Sequence, residues 1–178
     1  MKTKFNFNLV RFLMLTLIVF SFTNASAQEK TKKQLKKEAK LEKQKQVALL
    51  VNSKEFVFSP RVVSPQGGSN INLNDVSYSI EFHPELIKSY LPFFGRGYGG
   101  VPYGGGNGME FEGKPTVYTI EKTKRFYLVK VEVRGERDSY SIMLSVYFEG
   151  NAHLSINSNN RSSISYDGNI VAFQKKQI

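Results

Sequence analysis

The residue types that could do chemistry concentrate between Ser89 and Gly113, in the run SYLPFFGRGYGGVPYGGGNGMEFEG. Tyr90, Phe93, Phe94, Tyr98 and Tyr103 supply rings and Arg96 a guanidinium, spaced by nine of the chain's 14 glycines. Such rings stack on a sugar or an acyl chain, and a guanidinium forks an anionic group. Glycine at this density loses too much backbone entropy to form a strand or helix. The stretch 95–108 is therefore predicted as a long loop, and loops of that length in small domains are usually functional or disordered. Interleaved rings favour order. They would form either a ligand rim or an Ω-like plug closing the end of the domain's own core.

Two nucleotide-binding patterns in this segment fail on context. Gly95-Arg96-Gly97-Tyr98-Gly99-Gly100 matches G-x-G-x-x-G, but Val101-Pro102-Tyr103-Gly104 follows where a helix should open. Gly108 to Lys114 matches G-x-x-x-x-G-K, but Pro115 stands where Ser or Thr would hold magnesium. Glu110 and Glu112 share one strand face and, with Asp138, are the acids that a glycan hydrolase could use. As neighbours on a strand they read first as solvated surface charge. His83 and His153 fall on polar strand faces with no metal-ligand spacing around them. The serines between 155 and 165 lack a G-x-S-x-G elbow. Asn157-Ser158-Asn159-Asn160-Arg161-Ser162 is turn chemistry that could flank a polar pocket. No catalytic residue, metal or cofactor is read from the sequence.

These groups must be positioned by period-two segments. Val76, Tyr78, Ile80 and Phe82 alternate with polar residues, as do Val129, Val131 and Val133, then Tyr140 through Phe148, then Ala152, Leu154 and Ile156. Alternation of this kind marks half-buried antiparallel strands. Gly150-Asn151 and Asp167-Gly168 read as hairpin turns, with a third at Gly135. The fold expected is mainly β: nine or ten strands in a single antiparallel domain over 53–178. An up-and-down, lipocalin-like barrel or half-barrel is favoured over a sandwich because the strands look sequential. Ahead of it, residues 28–52 hold eight Lys and no Gly or Pro, which predicts a basic helix. Only Val47 to Val51 is apolar enough to dock.

The first 27 residues read as a signal peptide. Lys2, Lys4 and Arg11 are basic, Phe12 to Phe22 is apolar, and Ala25-Ser26-Ala27 suits a signal peptidase. The apolar run is shorter than the roughly 20 residues a spanning helix needs. A periplasmic or secreted chain without a membrane span after cleavage follows, and the complete lack of cysteine leaves its stability to packing. The formal net charge of +10 sits mainly in the leader and the helix; residues 53–178 hold 14 bases against 12 acids. That distribution argues against nucleic acid as the partner, despite the basic total.

Tyr90-Leu91-Pro92-Phe93-Phe94-Gly95-Arg96, with KEFVFSPRVVSP before it and Asn159-Asn160-Arg161 through Ser165-Tyr166-Asp167-Gly168 after it, resembles the exported Bacteroidota family grouped as domain of unknown function 4251. The resemblance covers nearly all of the chain after residue 27. It implies an envelope protein of Gram-negative bacteria and brings no activity, cofactor or functional residue with it. The function expected is a non-catalytic module that binds a hydrophobic or glycan small molecule, or an envelope protein, through the glycine-aromatic loop. A hydrolase of envelope glycans and a purely structural envelope component are the alternatives.

Overall fold

The computed structural model describes residues 32–98, 108–135 and 138–173. The leader at 1–27, the helical expectation for 28–31 and Tyr103 lie outside them. The chain divides into two units, Met1–Glu38 and Ala39–Ile178, and the whole sheet lies in the second. Helix α1, Lys32–Ser53, has no residue buried before Val47. Val47 and Val51, one turn apart, are buried, with Ala48 and Leu50 packed beside them. The helix stops at Lys54, a non-glycine residue at φ 59°, whose amide bonds back to the Val51 carbonyl.

Ten antiparallel strands follow among the described residues, β1 Phe56–Pro65, β2 Ile71–Asn72, β3 Ser79–Phe82, β4 Ile87–Pro92, β5 Gly108–Gly113, β6 Pro115–Lys122, β7 Phe126–Arg134, β8 Ser139–Tyr147, β9 Asn151–Ser158 and β10 Ile164–Val171. Their spatial order is β5-β4-β3-β1-β10-β9-β8-β7-β6, with β2 paired to β1 off this path. Apart from β1 beside β10 and the small detour of β2, each neighbour in space is a neighbour in sequence. Pairing the first strand with the last bends the meander round into a nearly closed barrel.

The remaining gap lies between β5 and β6, two halves of one run that changes partner at Lys114. Its first half bonds β4 and its second half β7. Gly113 makes the crossing possible, since a Cβ there would stand 2.8 Å from Val133 Cγ1 and 3.0 Å from the Arg134 carbonyl.

The alternating residues face inward as the period requires: Val129, Val131 and Val133 on β7, Ile142, Leu144 and Val146 on β8, Leu154 and Ile156 on β9. In β1 the buried set changes phase from Phe56 and Phe58 to Val63, because a register shift between Pro60 and Val62 inserts a bulge. The interior is filled by rings. Phe56, Phe58, Phe82 and Tyr166 are fully buried, and Phe56 stacks on Phe82 at 4.7 Å.

Three local expectations change. Val76 is 94% exposed and precedes β3, because the Asp75 carboxylate accepts the Ser77 amide at 2.8 Å and folds that stretch into a turn. The β8–β9 connection is Phe148-Glu149-Gly150, with Gly150 at φ 91°; Asn151 already pairs with Asn169 in the ladder. Asp167-Gly168 is no turn but the middle of β10, where Gly168 lets the Ser59 backbone approach closer than any Cβ would allow.

Candidate ligand groove

The chain leaves β4 at Pro92 and alternates outward and inward. Phe93 turns in, packs against the core and carries the Arg161 guanidinium 5.2 Å over its ring. Phe94 turns out. Gly95 turns in again, where a Cβ would collide with Ser162 Oγ and the Phe93 ring. Gly97 forms an antiparallel bridge with Arg161. Around it, the Ser162 amide donates to the Arg96 carbonyl at 2.9 Å and the Tyr98 amide to the Asn160 carbonyl at 2.7 Å. Ser162 Oγ also accepts the Arg96 amide at 2.9 Å. Glycine on the inner side and a pinned backbone leave Phe94, Arg96 and Tyr98 on the outer side, with Phe94 48% and Tyr98 64% exposed.

These three face a second wall. Pro65-Gln66-Gly67-Gly68-Ser69 turns back on itself through a bond from the Gly68 amide to the Pro65 carbonyl, with Gly67 at φ 74°. Together with Ile71, Gly95 and Ser162 the two walls enclose an open groove of about 690 Å³. Among the described lining residues, Arg96 is the single charged side chain. The floor is held from below: the Tyr166 hydroxyl donates to the Pro92 carbonyl at 2.7 Å, and an Arg161 guanidinium nitrogen donates to the Gly108 carbonyl. Burial pushes the Tyr166 phenol well above the ordinary tyrosine value, the nearby Arg161 charge opposing it, so the hydroxyl stays a donor.

Of the six residues singled out in the sequence, Phe94, Arg96 and Tyr98 come together in this groove. Tyr90 does not: it lies on the outer face of β4, with its ring 5.7 Å from Tyr78. Phe93 is part of the packing beneath. Tyr103 lies outside the described residues. The second wall was missed, and Ser162 was read only as part of a polar turn that could flank a pocket. Gly67-Gly68 signals a turn, but only the β1–β10 register, with Pro65 opposite Ile164, brings that turn beside residue 162.

The acids considered for hydrolysis are engaged elsewhere. Glu112 pairs with Lys88 at 3.8 Å on the exposed face of β5 that Glu110 shares. Asp138 accepts the amides of Ser139 at 2.8 Å and Asn159 at 3.1 Å, and the Ser158 hydroxyl. His153 faces Asp167 across β9 and β10 at 2.8 Å, and His83 stacks on Phe173 at 4.4 Å. Among the described residues, no group of three or more His, Cys, Asp or Glu could hold a metal ion, and no helix is long and apolar enough to cross a membrane.

A helix leading into a nearly closed, up-and-down antiparallel barrel, with a loop groove fastened to the β9–β10 turn, defines a small all-β protein of the barrel class. The chain belongs to the family described as Domain of unknown function (DUF4251), whose model matches residues 37–170. It is similar in fold to the crystal structure of a DUF4251 family protein from Bacteroides eggerthii, at a TM-score of 0.59 and 16% identity, over 73% of this chain and 87% of that one. Among curated proteins none matches. The two segments that carry the family resemblance, 90–96 and 159–168, are joined by the hydrogen bonds of Ser162 and Tyr166 and by Arg161 over the Phe93 ring.

Proposed function

We propose that this protein is an exported, non-catalytic binding module whose recognition surface is the groove of Phe94, Arg96, Tyr98, Ser162 and the 65–69 turn. The observation that carries the reading is the outward display of two large rings on a backbone fixed by three hydrogen bonds to Asn160 and Ser162. Solvent-exposed rings lose little by being covered, and a rigid backbone spares the ligand the entropy of ordering them. The ligand is a small molecule with a glycan or hydrophobic face, or an envelope protein presenting one. Export to the periplasm or beyond rests on the residue 1–27 leader and its Ala25-Ser26-Ala27 site.

The test is untargeted mass spectrometry on protein purified natively from an envelope fraction, comparing the wild type with Phe94→Ala/Tyr98→Ala. The wild type should carry a small molecule that the double variant has lost, while the two melt within a few degrees of each other. Equal ligand content, or a collapse of the variant's melting temperature, would refute the proposal.

A further inference from the structure

We infer that the groove selects an acidic oligosaccharide, one whose sugar faces lie on Phe94 and Tyr98 while its carboxylate or phosphate group is held by Arg96; this rests on the binding reading above. Three observations lead there.

The first is charge. Arg96 stands exposed among neutral neighbours, with no carboxylate among the described residues lining the groove. Its own backbone amide and carbonyl are both committed to Ser162, so the base of the side chain is fixed while its guanidinium makes no ion pair among the described residues. A guanidinium so placed suits a planar, bidentate anion.

The second is spacing. Arg96 and Tyr98 flank the bridged Gly97, so their side chains leave the same side of an extended segment from backbone positions about 7 Å apart. A ligand meeting both must carry its anion on, or next to, a flat group large enough to cover a ring.

The third concerns what the groove is not. An acyl chain is held by burying most of its surface in an enclosed apolar site. Here the barrel interior is already occupied by Phe56, Phe58, Phe82 and Tyr166, and the groove is open, with exposed Gln66 and Ser69 offering amide and hydroxyl groups beside the rings. Rings next to hydrogen-bonding groups match a sugar, which has one apolar face and a hydroxylated rim.

The test uses the full mature chain in calorimetric titrations with trigalacturonate, maltose 1-phosphate, neutral maltotriose and hexaglutamate, each at low and high salt. Trigalacturonate or maltose 1-phosphate should bind about tenfold more tightly than maltotriose, the margin expected of a hydrogen-bonded charge. Which of the two binds tells a carboxylated from a phosphorylated sugar. Arg96→Gln should abolish the preference, bringing the acidic ligand down to the level of maltotriose, whereas Tyr98→Ala should weaken acidic and neutral sugars alike.

Equal binding of acidic and neutral sugars, or an Arg96→Gln variant that keeps the preference, would overturn acid selection while leaving a saccharide-binding groove. Hexaglutamate binding as tightly as the best sugar, and in an Arg96-dependent way, would overturn the saccharide itself. Binding of none of the four would also overturn it, while the co-purification experiment still decides whether the groove holds any ligand.

Discussion

The hydroxyl of Tyr166, a ring wholly buried in β10, donates to the Pro92 carbonyl at 2.7 Å, tying β10 to the point where the chain leaves the barrel to form the groove. The next residue packs inward as Phe93 and the one after it points out as Phe94, so the position of Pro92 decides which ring becomes core and which becomes rim. Tyr166→Phe would keep the ring and abandon the carbonyl in a buried place. The expected cost is about 1–3 kcal/mol of stability, the usual range for a buried polar group left without a partner. Urea denaturation of wild type and variant measures it, and an unchanged midpoint would show the bond to be dispensable.

Tyr118 should respond in the opposite direction at neutral pH. Its hydroxyl is buried among described atoms that offer it no hydrogen bond, while its ring packs against the core under the Lys54 ammonium at 4.8 Å. Tyr118→Phe removes a desolvated polar group and keeps the packing, so stability should rise by up to about 1 kcal/mol. Urea denaturation at pH 7 reads the sign.

The same two phenols contribute to the loss of stability at alkaline pH. Burial raises both above the ordinary value of 10.0 that they regain on unfolding. A raised folded value means that the folded state holds the proton more tightly. The associated stability is therefore complete below about pH 10 and is lost as pH climbs from there toward the folded value. Unfolding free energy should fall steeply above pH 10, and each Tyr→Phe substitution should flatten part of that slope in denaturation curves taken between pH 8 and 11.

Adjacent phenylalanines offer a contrast that separates core from rim. Phe93 packs against the core and under Arg161, whereas Phe94 is 48% exposed on the groove. Phe93→Ala should cost about 2–3 kcal/mol, somewhat below the range for a fully buried Phe. Phe94→Ala should stay within about 0.5 kcal/mol of wild type. Thermal melts of the two variants decide the matter, and equal losses would mean that Phe94 is structural as well.

Much of this was legible in the sequence because the barrel is assembled from neighbours. Strands β7 to β9 announce themselves by strict alternation, and their pairing needs only short turns, so a period of two is enough to place Val131, Ile142 and Leu154 in the core. What stayed hidden was long-range. Nothing local to Asn160-Arg161-Ser162 reveals that its partners are Arg96, Gly97 and Tyr98, because that contact depends on β1 pairing with β10 across the whole chain. Composition drew attention to this segment's rings but could not tell Phe93 from Phe94, since a strand end and a bridged loop share the same aromatic-glycine spelling. Val76 misled for the reverse reason: an apolar residue at the right period was captured by the carboxylate turn of Asp75.

Gly168 gives the sharpest distinction between a turn glycine and a crossing glycine. The Asp-Gly pair spells a hairpin turn, where Asn would be an acceptable substitute because it tolerates left-handed backbone. In β10, however, Gly168 lies in the ladder between Ala152 and Pro60, and a Cβ there would run into the Ser59 carbonyl and come within 2.8 Å of Pro60 Cα. Backbone on the facing strand cannot swing aside as a side chain can, so Gly168→Ala and Gly168→Asn should both be destabilising, by about 1–3 kcal/mol as overpacking usually is. Gly67 supplies the control, having φ 74° and open space around its Cα. There Asn should cost clearly less than Ala, since Asn tolerates the left-handed region and Ala does not. Four melting curves test the assignment. Rescue by Asn at 168 would mean that the Ser59 backbone does not crowd that position, and no difference between Asn and Ala at 67 would mean that its turn does not require left-handed backbone.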